Sequence, residues 1–412
     1  MPSMSCSSGT IVAAATPPGN GGIGIVRISG QDALSLAHKI ISKALKPRYA
    51  AFVVVSVDKI KDSAVAIYFK SPNSFTGEDV VEIQCHGGTL LIQTIIDKLI
   101  SFGARMALPG EFTRRALLNG KITLSGAESL INIIHAESGA ELAAASDISA
   151  GELHEKLYEI EKKLIELSAQ IDGALDHPEE IAVPDIKPQL NTFIKTLTQF
   201  TDNAKASDYI YNGIRVAIIG KPNVGKSSIF NKILGLSRSI VTEIAGTTTD
   251  TVSETLQIGG YKIRFMDTAG IRESGNKIEK LGIERTIAAA RECDIAIIVS
   301  SDTDDTEIIN LVKDKPYIIA NNNCDIEALK RSIIEKTTLA LPKSQSRIIA
   351  NARQLSELES ALSALKNITV ASSPDLIASD IQTALYHIGN ITGTNTAESV
   401  LDEIFSRFCL GK

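Results

Sequence analysis

One stretch, Gly220-Lys-Pro-Asn-Val-Gly-Lys-Ser227, limits what this chain can fold into more than any other, because it meets the spacing G-x-x-x-x-G-K-[ST] at every fixed position. Val216-Ala-Ile-Ile219 ahead of it reads as a buried strand, and Ser228-Ile-Phe-Asn-Lys-Ile-Leu234 behind it carries apolar residues at helical spacing. Strand, glycine loop and helix N-terminus together form an anion cradle. The glycines let the backbone wrap closely, and the amides of the loop and the helix start point at the anion. Lys226 reaches the β and γ phosphates of a bound nucleotide, and the Ser227 hydroxyl is placed to ligate Mg²⁺. The competing reading, a chance glycine-rich turn, does not account for the flanking strand and helix.

The 412 residues suffice for two or three domains, and 44% hydrophobic with 22% charged residues describes a globular protein. No apolar run approaches the roughly 18 residues of a membrane span. The start, Met1-Pro-Ser-Met-Ser-Cys-Ser-Ser8, has no basic segment leading into an apolar one, so a cytoplasmic location is expected. The five cysteines, Cys6, Cys85, Cys293, Cys324 and Cys409, are scattered without a C-x-x-C pair, which argues for reduced thiols. A net charge of −6 requires any nucleic-acid partner to be met by a local basic patch or with help from another subunit.

Residues 1–121 alternate strand-like runs (Gly24–Ile28, Phe52–Val55, Ala64–Phe69, Val80–Ile83) with helical ones (Asp32–Leu45, Leu90–Phe102), which predicts an α+β domain. Turn-rich punctuation at Thr16–Gly22, Pro72–Asp79, His86–Gly88 and Pro109–Phe112 reads, taken alone, as strand connection. From Ser125 to Asp172 the pattern is helical, and Leu153, Leu157, Ile160, Leu164, Leu167 and Ile171 recur at steps of three and four, as in a bundle seam. A second helix is expected around Leu190–Ala206. Beyond the phosphate loop, strands at Tyr261–Met266, Asp294–Val299, Tyr317–Ala320 and Arg347–Ile349, with a helix over Ile278–Arg291, indicate a parallel sheet covered on both faces. After about residue 370 the chain is helical again, over Asp375–Ile391 and from a start at Asn395–Glu398. The expected architecture is thus an N-terminal α+β domain (1–121), a helical domain (122–212 plus 370–412) and a phosphate-loop domain (213–369) inserted into it, with the tail packing back on the helices of 125–207.

Asp267-Thr-Ala-Gly270 follows a strand, where a GTPase holds the metal through water with its Asp and senses the γ phosphate with its Gly amide. Gly246-Thr-Thr-Thr-Asp250 lies between the two motifs and offers Thr248 as a second Mg²⁺ ligand. Asn322 and Asp325 occupy the place of an N-K-x-D motif, in which Asp325 accepts the two N–H groups that distinguish guanine; Asn323 stands where lysine is usual. Asn351-Ala-Arg353 takes the place of an S-A-[KR] loop. Ile271, after Gly270, cannot orient water as the Gln of Ras-like enzymes does, so another carboxylate or amide must, and another cation must replace an arginine finger. Asn223 offers an oxygen for a monovalent cation beside the phosphates.

Together these motifs resemble the MnmE (TrmE) family of tRNA modification GTPases over essentially the whole chain. The specific pieces are Ala15–Gly30, Pro72–Asp79, Pro109–Thr113, Gly246–Asp250 and Phe408–Lys412. The resemblance implies a homodimer, a FAD-containing partner (MnmG), and addition of a carboxymethylaminomethyl or aminomethyl group to C5 of the wobble uridine of certain tRNAs. It implies a folate one-carbon donor, a 5-formyl or methylene tetrahydrofolate, contacted by Arg27, Glu82 and Lys121 with Lys412 nearby, and a functional Cys409. It further implies K⁺-dependent pairing of the G domains with Asn223, Thr242, Ile244 and Thr247 on K⁺, Ser227 and Thr248 on Mg²⁺, and Glu279 orienting water. Lys226, Glu279 and Cys409 are then the catalytic candidates. Val224, Gly225, Ser228, Glu243, Ala245, Gly246, Thr268 and Ala269 complete the GTP-binding set with Asn223, Lys226, Ser227, Thr242, Ile244, Thr247, Thr248, Asp267, Gly270, Asn322, Asp325, Asn351, Ala352 and Arg353. Thr249 and Leu410 depart from the family's usual Arg and Ile, and Asn20 replaces a basic residue.

Without the resemblance, Cys409 reads as a helix-end thiol, Glu279 as a surface carboxylate and Arg27 as a strand-edge charge. Two other classes compete: a ribosome-assembly switch that binds rRNA, which should carry a basic RNA-binding module, and a non-hydrolysing scaffold, suggested by Asn323 and Asn351.

Overall fold

The computed structural model describes residues 9–149, 151–180, 182, 184–221, 224–237, 254–266, 287–300, 306–340, 350–369 and 373–411. The chain divides into two compact units, residues 1–131 with 388–412, and residues 132–387.

The first unit is built on a six-stranded sheet: β1 (Ile11–Ala14), β2 (Gly21–Ser29), β3 (Ala51–Val57), β4 (Ile60–Phe69), β5 (Val80–Gly87) and β6 (Arg105–Met106), in the order β3-β4-β5-β2-β1-β6. Neighbours are antiparallel except β1 and β6. Side chains alternate between faces, as in β3 where positions are buried and open in turn, so a strand of this kind buries one face only. That face packs Val26, Ile28, Val53, Val55 and Ile83 beneath helices α1 (Ala33–His38) and α2 (Thr89–Ser101), which contribute Leu36, Ile95 and Leu99. Helix α1 is shorter than the Asp32–Leu45 expected. Ile40 and Ser42 turn their backbone groups to β3 instead, in the bonds Ser56 N to Ile40 O (2.7 Å) and Ser42 N to Val54 O (3.1 Å).

Strands β1 and β6 were not foreseen, and neither was helix α3 (Glu111–Leu118), which begins inside a segment expected to be a turn. Gly110 supplies that turn with φ +67°. In the same unit, α4 (Leu124–His135) starts near the chain's end in space: Leu124 and Ala127 pack with Ile404, Phe405 and Phe408.

The second unit holds helices α5 (Gly139–Ser149), α6 (Glu152–Asp176) and α7 (Lys187–Tyr211). The seam foreseen in α6 is its buried stripe, with Leu153, Leu157, Leu164, Leu167 and Ile171 all shielded. A five-stranded sheet follows: β7 (Ile214–Ile219), β8 (Glu254–Ile258), β9 (Tyr261–Met266), β10 (Ile295–Val299) and β11 (Tyr317–Ala320), ordered β11-β10-β7-β9-β8. It is parallel through β11, β10, β7 and β9, with β8 added antiparallel at the edge through the turn Gly259-Gly260. Both glycines have positive φ, +60° and +85°, as a two-residue hairpin of this kind requires. Central strands buried on both sides read as unbroken apolar runs, and β10 is buried at all five positions.

One face of this sheet packs on α8 (Lys226–Ser237) and α10 (Ile326–Ala340) through Ile229, Phe230, Ile233, Leu329 and Ile333. The other packs on Ala290, Cys293 and Val312, the last just beyond the short helix α9 (Thr306–Leu311). Helix α11 (Ala352–Asn367) lies along α7, where Lys205 pairs with Glu359 at 3.2 Å. Helix α12 (Pro374–Thr392) meets α6 through a hydrogen bond from Gln382 Nε2 to Ser168 Oγ (3.0 Å). The last helix, α13 (Glu398–Ser406), begins three residues later than expected, because Asn395 turns back on Gly389: its amide donates to Gly389 O (3.4 Å). The tail therefore divides, with α12 meeting α6 and α13 meeting α3 and α4. The strand expected at 347–349 and most of the helix expected at 278–291 lie outside the described residues.

Candidate functional sites

The parallel strands β7, β9, β10 and β11 all end at one edge of their sheet, the edge at which open sheets of this class take ligands. Gly220 leaves β7 there under close constraint, since a Cβ on it would lie 2.4 Å from Val299 O at the end of β10. Helix α8 then starts at Lys226, with Ile229 N donating to Gly225 O (3.0 Å). The Lys226 ammonium donates to Gly220 O (2.9 Å) and Lys221 O (2.8 Å), so the cation stands at the mouth of the loop. Burial holds its pKa below the ordinary lysine value.

The loop after β11 closes over this cradle. Gly225, at φ +100°, carries the Asn322 side chain where its own Cβ would be, with Cγ at 2.8 Å from that position. Lys232 of α8 donates to Asn322 O (2.7 Å) and fixes the contact from the other side. Three residues on, Asp325 caps α10: its carbonyl accepts from Leu329 N (3.0 Å) and its carboxylate from Glu327 N (3.0 Å). That carboxylate is exposed, with Arg331 at 3.8 Å. Asn351 opens α11 with a full capping box. Its side chain accepts from Gln354 N (2.8 Å), and the Gln354 side chain accepts from Asn351 N (3.2 Å). Asn serves as well as Ser in that role, so this departure leaves the loop's local structure intact.

Strand β9 ends at Met266, opposite Ala217 of β7, at the edge of the sheet where the phosphate loop begins. The hairpin β8–β9 is tied to α5 and the segment before it, with Ala140 N donating to Gly260 O (3.1 Å) and Lys262 pairing with Glu137 (2.5 Å). Val224, Gly225, Lys226, Ser227 and Ser228 are therefore brought together with Asn322, while Ala352 and Arg353 follow the Asn351 cap. Asn223, Thr242–Thr248, Asp267–Gly270 and Glu279 lie outside the described residues.

A second cluster lies in the first unit. Arg27 of β2 and Glu82 of β5 are direct cross-strand partners, and the register turns them into an ion pair of 2.8 Å with a further bond from Nε (2.9 Å). Phe75 and Phe112 stand on the guanidinium at 5.9 and 5.7 Å from their ring centroids. Arg27 Nη1 also donates to Gly411 O (3.1 Å), so the chain's tail reaches this site. Gly411 sits against β1 at φ +91°, where a Cβ would fall 1.9 Å from Ala14 O. Cys409, two residues earlier, is exposed. The Lys121 stem lies along the Gly77 turn, with Cε 3.2 Å from the place of a Cβ there; Lys412 lies outside the described residues.

Beneath the pair runs a charge network that the sequence did not reveal. Glu111 accepts from Arg105 (2.6 and 2.9 Å), from Leu108 N (2.9 Å) and from Arg115 (3.0 Å). Arg115 reaches on to Glu78 (3.0 Å) and Gly9 O (2.9 Å), and Glu78 accepts from Ser29 (2.7 Å). Burial alone would raise the Glu111 pKa, but the bonds from Arg105 and Leu108 and the nearby cations outweigh it and hold the carboxyl below its ordinary value. The signal for Phe75, Glu78 and Phe112 was present in the punctuation at 72–79 and 109–112, but nothing local distinguished it from strand connection.

A glycine loop between strand and helix, backed by an Asn side chain and opening at the carboxyl edge of a parallel sheet, defines a phosphate-loop nucleotide-binding protein. Comparison with known proteins narrows this. Residues 10–121 match the family described as GTP-binding protein TrmE N-terminus, and residues 124–409 match the MnmE helical domain. The tRNA modification GTPase MnmE of Francisella philomiragia is 37% identical over 446 aligned positions covering 98% of this chain and 99% of that one. Those of Thermotoga maritima and Caldicellulosiruptor saccharolyticus are 36% identical, covering 98% of this chain and 100% and 99% of theirs. The chain belongs to the MnmE family of tRNA modification GTPases. Among the described residues, no helix is long and apolar enough to cross a membrane.

Proposed function

We propose that this GTPase couples nucleotide hydrolysis at residues 220–227 to modification of the wobble uridine of certain tRNAs at C5, acting as a homodimer with a FAD-containing partner of the MnmG type. The observation that carries this reading is the joint presence, in one chain, of the Asn322-backed phosphate loop and the Arg27–Glu82 pair with the Cys409 tail fastened to it.

Lys226 neutralises the β and γ phosphates, and Asp325 selects guanine. Ser227, at the first turn of α8, fits Mg²⁺ as a hydroxyl ligand beside the loop, with Thr248 as its companion. The two hydroxyls would hold Mg²⁺, which would supply positive charge against the negative charge that develops on the phosphates. Asn223, Thr242, Ile244 and Thr247 would hold K⁺, which would supply the positive charge an arginine finger otherwise brings, and Glu279 would orient the water that Ile271 cannot. In the other site, the donor set fits a folate. Glu82 would accept from ring N–H groups, Arg27 would donate, the two phenylalanine rings would offer flat apolar contact, and Lys121, with Lys412 nearby, would meet its negative charge. The folate, when bound, supplies the one-carbon unit; the chain's part is to hold it against Arg27 and Glu82 with the Cys409 thiol exposed beside it.

The test is GTP turnover in K⁺ against Na⁺, with the variant Glu279→Ala. Turnover several-fold higher in K⁺, and a loss of roughly 100- to 1,000-fold in the variant, are expected. Equal rates in the two salts would contradict the proposal.

A further inference from the structure

Helix α13 is held at both ends by α3. At its start, Arg114, whose side chain is only 6% exposed, gives Nη2 to Glu398 (2.6 Å) and Nη1 to Asp402 (2.9 Å). These two carboxylates stand one helical turn apart on the same face. At the far end Gly110 lies so close that a Cβ would be 2.6 Å from Phe405 O and 3.1 Å from the Cβ of both Phe405 and Phe408. Beyond the helix, Phe408 is buried against Leu124 and Ala127, and Gly411 is buried on β1 with its carbonyl on Arg27. Only Cys409 and Leu410 are exposed between these two fixed points.

Apolar packing at Phe405 and Phe408 is non-directional, and the close approach of Gly110 constrains the helix at its far end only. The guanidinium fork is directional: it accepts two carboxylates only at one rotation and one height of the helix. Glu398 is 66% exposed and adds little stability of its own, whereas Asp402 at 27% and Arg114 at 6% are more enclosed, so the fork both neutralises a buried cation and fixes the helix against it.

We propose that Arg114 is a positioning residue. By fixing the rotation of α13 it sets where the Cys409 thiol stands relative to the Arg27–Glu82 pair, and so serves the tRNA reaction and not GTP hydrolysis. This rests on the reading above that Cys409 takes part in the base chemistry.

The test is the double variant Glu398→Ala/Asp402→Ala in the full chain, which removes both acceptors while leaving Arg114 and the apolar contacts. Hydrogen exchange of the amides of 407–411 is expected to quicken about tenfold or more. With tRNA and extract from a deletion strain, kcat for wobble modification should fall about tenfold or more at unchanged KM for tRNA, while GTP turnover stays at the wild-type rate. Arg114→Lys, which retains a cation for one carboxylate, should fall between the two, and it decides the matter alone if the double variant does not fold. Wild-type exchange and kcat in the variants, or loss of GTP turnover in step with kcat, would overturn the proposal. If the wild-type chain modifies no wobble uridine, the functional reading fails, while the exchange measurement still shows whether Arg114 holds the tail.

Discussion

The Arg27 site is assembled from side chains, whereas the phosphate loop is assembled from backbone. In the first, Arg27 pairs with Glu82, and Arg105, Glu111, Arg115 and Glu78 pair in a chain, across three strands, a helix and the loop before β5, and the tail joins through one carbonyl. In the second, glycines at 220 and 225 allow the backbone to approach Val299 and Asn322 more closely than any Cβ permits, and the cation at Lys226 rests on two carbonyls. The difference teaches what each site is sensitive to. A site made of paired charges responds to protonation, and a site made of bare backbone responds to added volume.

The largest expected effect comes from removing the lysine cation of the backbone-built site. Lys226→Ala should lower GTP turnover roughly 100- to 1,000-fold while leaving the thermal midpoint within a few degrees of wild type, as measured by phosphate release and calorimetry. Gly225→Ala comes next. Its Cβ would sit 2.8 Å from Asn322 Cγ at a φ of +100°, a strain of about 1–3 kcal/mol. Calorimetric titration should then show affinity for a GTP analogue reduced roughly 5- to 150-fold. Neutral binding by that variant would mean that Asn322 does not back the loop.

The smallest effect belongs to the charge-built site. Because burial's upward pull on the Glu111 carboxyl is outweighed by its bonds from Arg105 and Leu108, its folded-state pKa lies below the ordinary 4.5; its ionised form stabilises the fold above that pH, and the contribution is lost as pH falls through 4.5 toward the lowered value. Wild type should therefore lose stability more steeply than Glu111→Gln below about pH 4.5. Parallel acid melts of the two would show that the network is not coupled to folding. Over the same range GTP affinity should track neither protein's melt.

The same contrast explains what could be read in advance. The phosphate loop is local: strand, loop and helix fall within about twenty consecutive residues, and periodicity with glycine spacing announces all three. The Arg27 site joins residues as far apart as 27 and 411, and no short-range pattern records a cross-strand pair or a carbonyl from the tail. The family resemblance pointed to Arg27 and Glu82 but not to the rings of Phe75 and Phe112 around them. Helix α3 escaped notice because it buries Glu111, Thr113, Arg114 and Arg115 along with Phe112, so hydrophobic periodicity has little to register. Strands β1 and β6 are four and two residues long, too short to alternate visibly. In α1 the opposite error arose, since Ile40 and Ile41 continue an apolar pattern whose backbone belongs to β3.

In the function proposed above, hydrolysis at the phosphate loop drives base chemistry on tRNA. Mass spectrometry of wobble nucleosides from a deletion strain carrying Lys226→Ala tests it directly. Modified wobble uridine at the level of the empty deletion strain, with full restoration by the wild-type gene, is the predicted result. Wild-type levels of modification from a chain that cannot turn over GTP would contradict it.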